Sequence, residues 1–301
     1  MDLFGRPFSF WVQCLLKDLV SLLFFPITCL HRLFRASSGV RILVYHTVQQ
    51  LSPQEDPIRL SISAALLRTH LKSLHRFGFV IVPLAAVLDH VKGKHRLSPR
   101  SVALTFDDGY ADHFAVVRPL LEEFGVSATF FVICRAIETG KTVDGLKGDS
   151  SLRQSMSLDQ VRSLCEGGMD IGSHSMTHTC LSELDDGRMA EEVFGSKRYL
   201  EEKLGKSVKM FAYPFGAYRT FNGRTRAQLE AAGYGGACIN LLGWNRPGDD
   251  PFTLRRTRIG WDDRSWRFFL KVFGAYDWID ASWIRQFSGR LSSIVREGSV
   301  Q

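Results

Sequence analysis

From Val40 to Ile259, short apolar runs alternate with segments of helical periodicity, and few folds accept that pattern. Val40–Tyr45, Phe79–Val82, Ser101–Phe106, Ala128–Cys134, Asp170–Gly172, Val208–Tyr213, Gly236–Ile239 and Leu254–Ile259 read as strands. Between them, Ser61–Phe77 carries Leu66, Leu67, Leu71 and Leu74 at helical spacing and stops at Gly78. Leu84–Val91, Ala115–Phe124, Arg188–Leu204 and Thr225–Ala232 read as further helices. Ser157–Glu166 opens with Ser157 as N-cap and Gln160 at the third helical position, the capping-box spacing. Repeated strand–helix alternation predicts parallel βαβ units and an α/β barrel, open or closed. Barrel enzymes build their sites where strands end at their C-terminal edge. The residues following each apolar run are therefore the first candidates for chemistry.

The chain has 301 residues, 45 % hydrophobic and 23 % charged, which supplies ample material for a large core. Its formal net charge of +7 raises the question of an anionic partner. The basic residues are dispersed, however, and no Lys/Arg run interleaves with aromatics, so nucleic acid is not expected. Six cysteines include no CxxC pair and match no zinc module.

Phe8–Phe34 is rich in Phe, Leu and Trp, but Lys17, Asp18 and Pro26 interrupt it. A membrane-spanning helix needs about 20 apolar residues, and the longest uncharged run, Leu19–Leu30, has twelve. The basic start and small-residue cleavage site of a secretory signal are absent. The pattern predicts an amphipathic helix touching a membrane peripherally through residues 8–35, with His31, Arg32 and Arg35 near headgroups. A helix packed on the protein's own core is the alternative. The expected divisions are residues 1–38 for this helix, 39–262 for the catalytic barrel, and 263–301 for a helical, aromatic-rich extension.

Two motifs carry chemistry. Thr105-Phe106-Asp107-Asp108-Gly109-Tyr110 puts adjacent carboxylates at a strand end. On extended backbone their side chains diverge, so one can bind a cation while the other takes a proton. His174 and His178 stand at i and i+4, which on a helical turn brings both imidazoles to one cation. Two histidines and one carboxylate form a site with open positions for water and substrate.

Taken in order, TFDDG, GSHSMTH and YPFG at three strand ends resemble the NodB-homology polysaccharide deacetylases, carbohydrate esterase family four. The resemblance runs from about Val40 to Ile259 and implies a distorted or incomplete (β/α) barrel. It implies Asp107 as general base and Asp108, His174 and His178 as ligands of a divalent metal: zinc first, with cobalt, nickel, manganese or iron acceptable. Ser175 and Thr177 would brace the histidine loop. Phe215 would offer its backbone N–H to the oxyanion, with Tyr110, Tyr213 and Pro214 contacting substrate. The implied reaction hydrolyses the N-acetyl group of an amino sugar in a polysaccharide, with a metal-bound water as nucleophile.

Two departures follow. The C-terminal histidine that supplies the acid in most of the family is missing, because no histidine follows His178. Arg41-Ile42-Leu43-Val44-Tyr45-His46 resembles instead the circularly permuted, poly-N-acetylglucosamine deacetylase-like subgroup, which makes His46 the general-acid candidate. Ala212 stands where the third motif's arginine usually orients the base, and Arg255 or Arg256, with a lean to Arg256, is the substitute. The membrane-leaning N-terminus motivates a second reading, a deformylase or deacetylase of a lipid-linked sugar. The missing arginine motivates a third, an inactive glycan-binding protein. The expected location is a membrane or the cell envelope, with the cytoplasmic face open.

Overall fold

A computed structural model describes residues 12, 15–23, 25–26, 39–52, 54–56, 59–140 and 153–280. Its strands are β1 (Arg41–Tyr45), β2 (Val80–Ile81), β3 (Ser101–Phe106), β4 (Thr129–Val132), β5 (Asp170–Ser173), β6 (Met210–Ala212), β7 (Gly236–Ile239) and β8 (Leu254–Arg258). All pairings are parallel. β1 lies between β3 and β8 and closes seven strands into a barrel, while β2 rides on the start of β3. The helices are α1 (residues 15–23), α2 (Ala64–Arg76), α3 (Leu84–Val91), α4 (Arg118–Glu123), α5 (Cys134–Thr139), α6 (Leu158–Glu166), α7 (Asp186–Ala190), α8 (Ser196–Leu204), α9 (Gly223–Ala231) and α10 (Ser265–Phe273).

Strand register sets the whole upper layer. Tyr45 pairs with Phe106, and Phe106 with Phe130. These three rings face outward under the helices and stack, with centroids 5.2 and 5.1 Å apart. Side chains alternate along a strand, so the next residues, His46, Asp107 and Phe131, turn toward the barrel interior. Gly172 is level with Phe131, and a Cβ there would sit 2.4 Å from the Phe131 ring. Glycine is thus what allows an aromatic ring inside so narrow a barrel. Below this layer, Leu84, Val87, Leu88 and Val91 of α3 pack against Ile42, Ala103, Met210 and Leu254 and plug the bottom.

The capping box at Ser157 and Gln160 is present, and Ser63 caps α2. Some predicted boundaries need correction. The long helix expected over Arg188–Leu204 is present as an unbroken helical run from Asp186 to Leu204, with one wider, π-type turn at Glu191–Gly195. The strand expected over Ala128–Cys134 stops at Val132, because the chain lifts away to start α5. There the N–H groups of Cys134 and Arg135 donate to the carbonyls of Ser175 and Met176.

The N-terminal helix is amphipathic in an inverted sense. Asp18 and Ser21 point inward: Asp18 accepts from Arg267 and from the Tyr276 hydroxyl, and Ser21 accepts from Trp278. Leu15, Leu16, Leu19, Leu22 and Leu23 are 48–75 % exposed. Its attachment is polar and its outer face apolar. His31, Arg32 and Arg35 lie outside the described residues. Among the described residues no helix is long and apolar enough to cross a membrane.

Candidate metal centre and active site

Asp107, Asp108, His174, His178 and His46 meet at the C-terminal mouth of the barrel, four of them in the wall of one cavity of about 860 Å³ and Asp107 fully buried beneath it. His46 and Asp107 are neighbours through register, since the Asp107 N–H donates to the Tyr45 carbonyl. His174 continues the inward parity of Gly172, and its Nδ1 lies 2.8 Å from the Ala212 carbonyl. That contact requires a proton on Nδ1 and leaves the Nε2 lone pair free for a cation.

The histidine pair does not sit on a helix. Residues 174–178 form a loop in which Ser175 and His178 have φ of 67° and 62°. Two left-handed residues, rather than one helical turn, bring the imidazoles to the same point. Nor is the backbone extended through both carboxylates, because Asp108 has φ of 75°. Of the five non-glycine residues with positive φ among those described, Asp108, Ser175, His178 and Phe215 belong to this site. Such conformations cost of order 1–3 kcal/mol each and persist only where the surroundings impose them.

Those surroundings are visible around the loop. Ser175 Oγ accepts from the His178 N–H at 2.9 Å, and Ser173 Oγ accepts from the Ser175 N–H at 3.2 Å. Buried Glu192 takes the N–H groups of Met176 and Thr177 at 2.9 Å each, plus the Thr177 hydroxyl at 2.5 Å. No sequence motif marks Glu192, since it reaches the loop only because the wide turn at Glu191–Gly195 packs there.

His174 Nε2 and His178 Nε2 lie 3.4 and 3.6 Å from Asp108 Oδ1, and the three ligand atoms lie within 4.8 Å of one another. A tetrahedral ion with bonds of 2.0–2.2 Å spaces its ligands about 3.3 Å apart. The donor set therefore fits a zinc-sized divalent cation. Burial would raise the Asp108 carboxyl, yet His174 and His178 hold it far below the usual range. Burial likewise opposes charge on His174, but Asp107 and Asp108 raise it. For His178, burial and the charge of His174 prevail, down to about 4.

Arg256, not Arg255, reaches Asp107. Its two terminal nitrogens donate to the two oxygens of Asp107 at 2.7 Å each, and both side chains are 0 % exposed. Arg256 shares the inward parity of Leu254, whereas Arg255 turns out toward the Leu242 carbonyl. Burial raises the Asp107 carboxyl, and Arg256 more than reverses this. His46 is 7 % exposed; burial lowers it, while Asp108 and Asp107 pull the other way. Its Nδ1 has no partner among the described residues, so no hydrogen bond fixes its tautomer.

The third motif turns through left-handed Phe215 and Gly216, where a Cβ on Gly216 would meet Asn240 at 2.6 Å. The Phe215 ring is 53 % exposed beside His178, and its backbone N–H donates to no acceptor among the described residues. Tyr110, Tyr213 and Pro214, the expected substrate contacts, are not among the residues that line the cavity. Tyr110 and Tyr213 are 1 % and 0 % exposed, and Pro214 is buried. Tyr110 backs onto Asp108, and Tyr213 stacks on Phe221 at 4.0 Å. Phe215, Tyr218 and Arg219 are the exposed residues of that segment.

Comparison with known proteins places this geometry. Residues 94–237 match the polysaccharide deacetylase family model. The Bacillus subtilis protein YxkH is 26 % identical over 219 residues, covering 72 % of this chain and 70 % of its own. IcaB from Ammonifex degensii is 25 % identical with a TM-score of 0.65, over 78 % of this chain and 97 % of its own. The Streptococcus pyogenes deacetylase PplD is 22 % identical with a TM-score of 0.68, over 78 % and 99 %. His46, just past β1, and Arg256, on β8, fall outside the segment matched by the family model, and these two strands complete the barrel. Matched to the polysaccharide deacetylase family model over residues 94–237, just under half of the chain, and similar in fold to PplD and IcaB around the whole barrel, the chain resembles the NodB-homology polysaccharide deacetylases, hydrolases of carbon–nitrogen bonds.

Proposed function

We propose that the protein removes the acetyl group from an N-acetylated amino sugar of a glycan, using a divalent ion, zinc first, held by Asp108, His174 and His178. The observation that carries this reading is the adjacency of a cation-sized donor set to an ionised, arginine-clamped carboxylate at one barrel mouth. When bound, the cation would polarise the acetyl carbonyl and acidify a water. Asp107 takes the water's proton. Its basicity is low, but each oxygen keeps a lone pair beyond the one given to Arg256. The Phe215 N–H stabilises the oxyanion, a contribution of about 3 kcal/mol for one such donor. His46 protonates the departing nitrogen as the carbon–nitrogen bond breaks, without which the intermediate returns to the amide.

A lipid-carried sugar is the second reading for the substrate. It is favoured by α1, whose outward leucines suit peripheral membrane contact and whose Lys17 and Asp18 line the catalytic cavity. The inactive-binder reading loses its motive, since Arg256 gives Asp107 a guanidinium contact that Ala212 cannot supply. The test is acetate release from N-acetylglucosamine oligomers with and without a chelator. Release that stops on chelation and returns with zinc supports the proposal. No release with zinc added, from glycan or lipid-linked sugar, refutes it.

A further inference from the structure

The cavity above the metal ligands carries more positive charge than its own carboxylates neutralise. Arg256 is matched by Asp107, Arg267 by Asp18 and Asp262, and Lys271 by Asp263. Two guanidiniums in the same wall, those of Arg219 and Arg258, have no acidic partner among the described residues. Arg258 ends β8 and lies two residues beyond Arg256, so strand alternation points it inward, one layer higher in the mouth. Its carbonyl is pinned by Lys271 Nζ at 3.0 Å. Arg219 lies in the short turn Tyr218–Thr220 after the Phe215 segment, and its carbonyl is pinned by the Ser182 hydroxyl at 2.7 Å. The two therefore come from the segments after β6 and at the end of β8, with Asn240, just past β7, in the wall between them. Both backbones are tied down and both forks are left open.

We propose that Arg219 and Arg258 form a subsite for a phosphate group on the substrate, beside the sugar whose acetamide meets Asp107. A carboxylate has two oxygens, which one arginine fork satisfies; a phosphate presents enough oxygens for two separately rooted forks. The same cavity is walled by Lys17 on the leucine-faced helix α1, which places a third cation at the α1 edge of the mouth. The substrate class is thus an N-acylated amino sugar bearing a phosphate, free or as a diester to a lipid. This inference rests on the deacetylase reading and narrows it.

The experiment compares kcat/KM of the zinc-loaded full chain on three substrates. They are a neutral N-acetylglucosamine oligomer, N-acetylglucosamine 1-phosphate, and the same sugar phosphate as a lipid diester in neutral vesicles. At least one phosphate substrate should exceed the neutral oligomer by about tenfold or more. In Arg219→Gln and Arg258→Gln that preference should fall by about tenfold, and Arg258→Lys should recover part of it. An advantage confined to the diester identifies a lipid carrier, and one shared by both identifies the sugar phosphate itself; either supports the subsite. Calorimetric binding of N-acetylglucosamine 1-phosphate to the Asp107→Asn protein, weakened by the same arginine substitutions, is the readout independent of turnover. Equal or better turnover of the neutral oligomer by the native protein, or a phosphate preference that survives both Gln substitutions, overturns the proposal. Acetate from no substrate refutes the deacetylase reading instead.

Discussion

Replacing Arg256 with Met removes the guanidinium that is bonded twice to the fully buried Asp107 carboxylate. Both side chains are 0 % exposed, and two 2.7 Å bonds are lost together. Breaking a buried pair from one side costs about 3–5 kcal/mol, because the remaining charge is left without compensation. The pH dependence follows from linkage. In the native protein Arg256 holds the Asp107 carboxyl below its unfolded value, so its contribution is present at neutral pH and lost as pH falls through the folded pKa. In the variant, burial acts without that cation and pushes the carboxyl upward. The penalty is then full above the raised pKa and relieved below it. Urea unfolding of chelated protein at pH 7.5 and pH 5 should therefore show the larger deficit at pH 7.5. Adding Asp107→Leu removes both charges and should recover about 2 kcal/mol or more relative to the sum of the single changes. An Arg256→Met deficit under about 1 kcal/mol, equal at the two pH values, would refute the reasoning.

His70 is buried between Phe268, stacked at 3.9 Å, and the Asp263 carbonyl, and burial brings it down to about 4. Below pH 6.5 the unfolded chain takes up a proton that the folded one refuses, so acidification from pH 6.5 to 4 should cost about 3 kcal/mol from this residue. His70→Gln should lose that much less across the range, and parallel urea-midpoint profiles would rule the effect out. Gly172→Ala should destabilise by about 1–3 kcal/mol through collision with the Phe131 ring, with partial recovery in Phe131→Leu; a thermal midpoint unchanged in Gly172→Ala contradicts that packing. Glu192→Ala leaves the N–H groups of Met176 and Thr177 and the Thr177 hydroxyl without the carboxylate that accepts from them, and should weaken zinc binding about 10- to 100-fold in chelator competition. Unchanged affinity would mean that the loop holds its shape without Glu192.

The barrel was legible in the sequence because each strand is a short apolar run and each helix a separate periodic one. The capping box was legible for the same reason: Ser157 and Gln160 satisfy each other locally. Long-range choices were not. His174 and His178 have helical spacing but reach one point through left-handed Ser175 and His178, a geometry imposed by Ser173, Glu192 and the start of α5. Arg255 and Arg256 are equivalent as letters, and only the facing of β8 separates them. Tyr110 and Tyr213 sit beside functional residues in sequence, yet alternation and turning bury their rings. On α1, Asp18 faces inward because Arg267 and Tyr276 await it, which a hydropathy pattern does not reveal.

The most direct measurement is acetate release by zinc-loaded Asp107→Asn protein beside the native chain, with zinc content determined on the same samples. Asp108, His174 and His178 are untouched by the change, so both proteins should hold one ion per chain. The variant should release acetate slower by about 10²- to 10⁴-fold, the contribution of a positioned general base. A variant that keeps its ion and turns over within about tenfold of the native chain would place the base elsewhere and contradict the account.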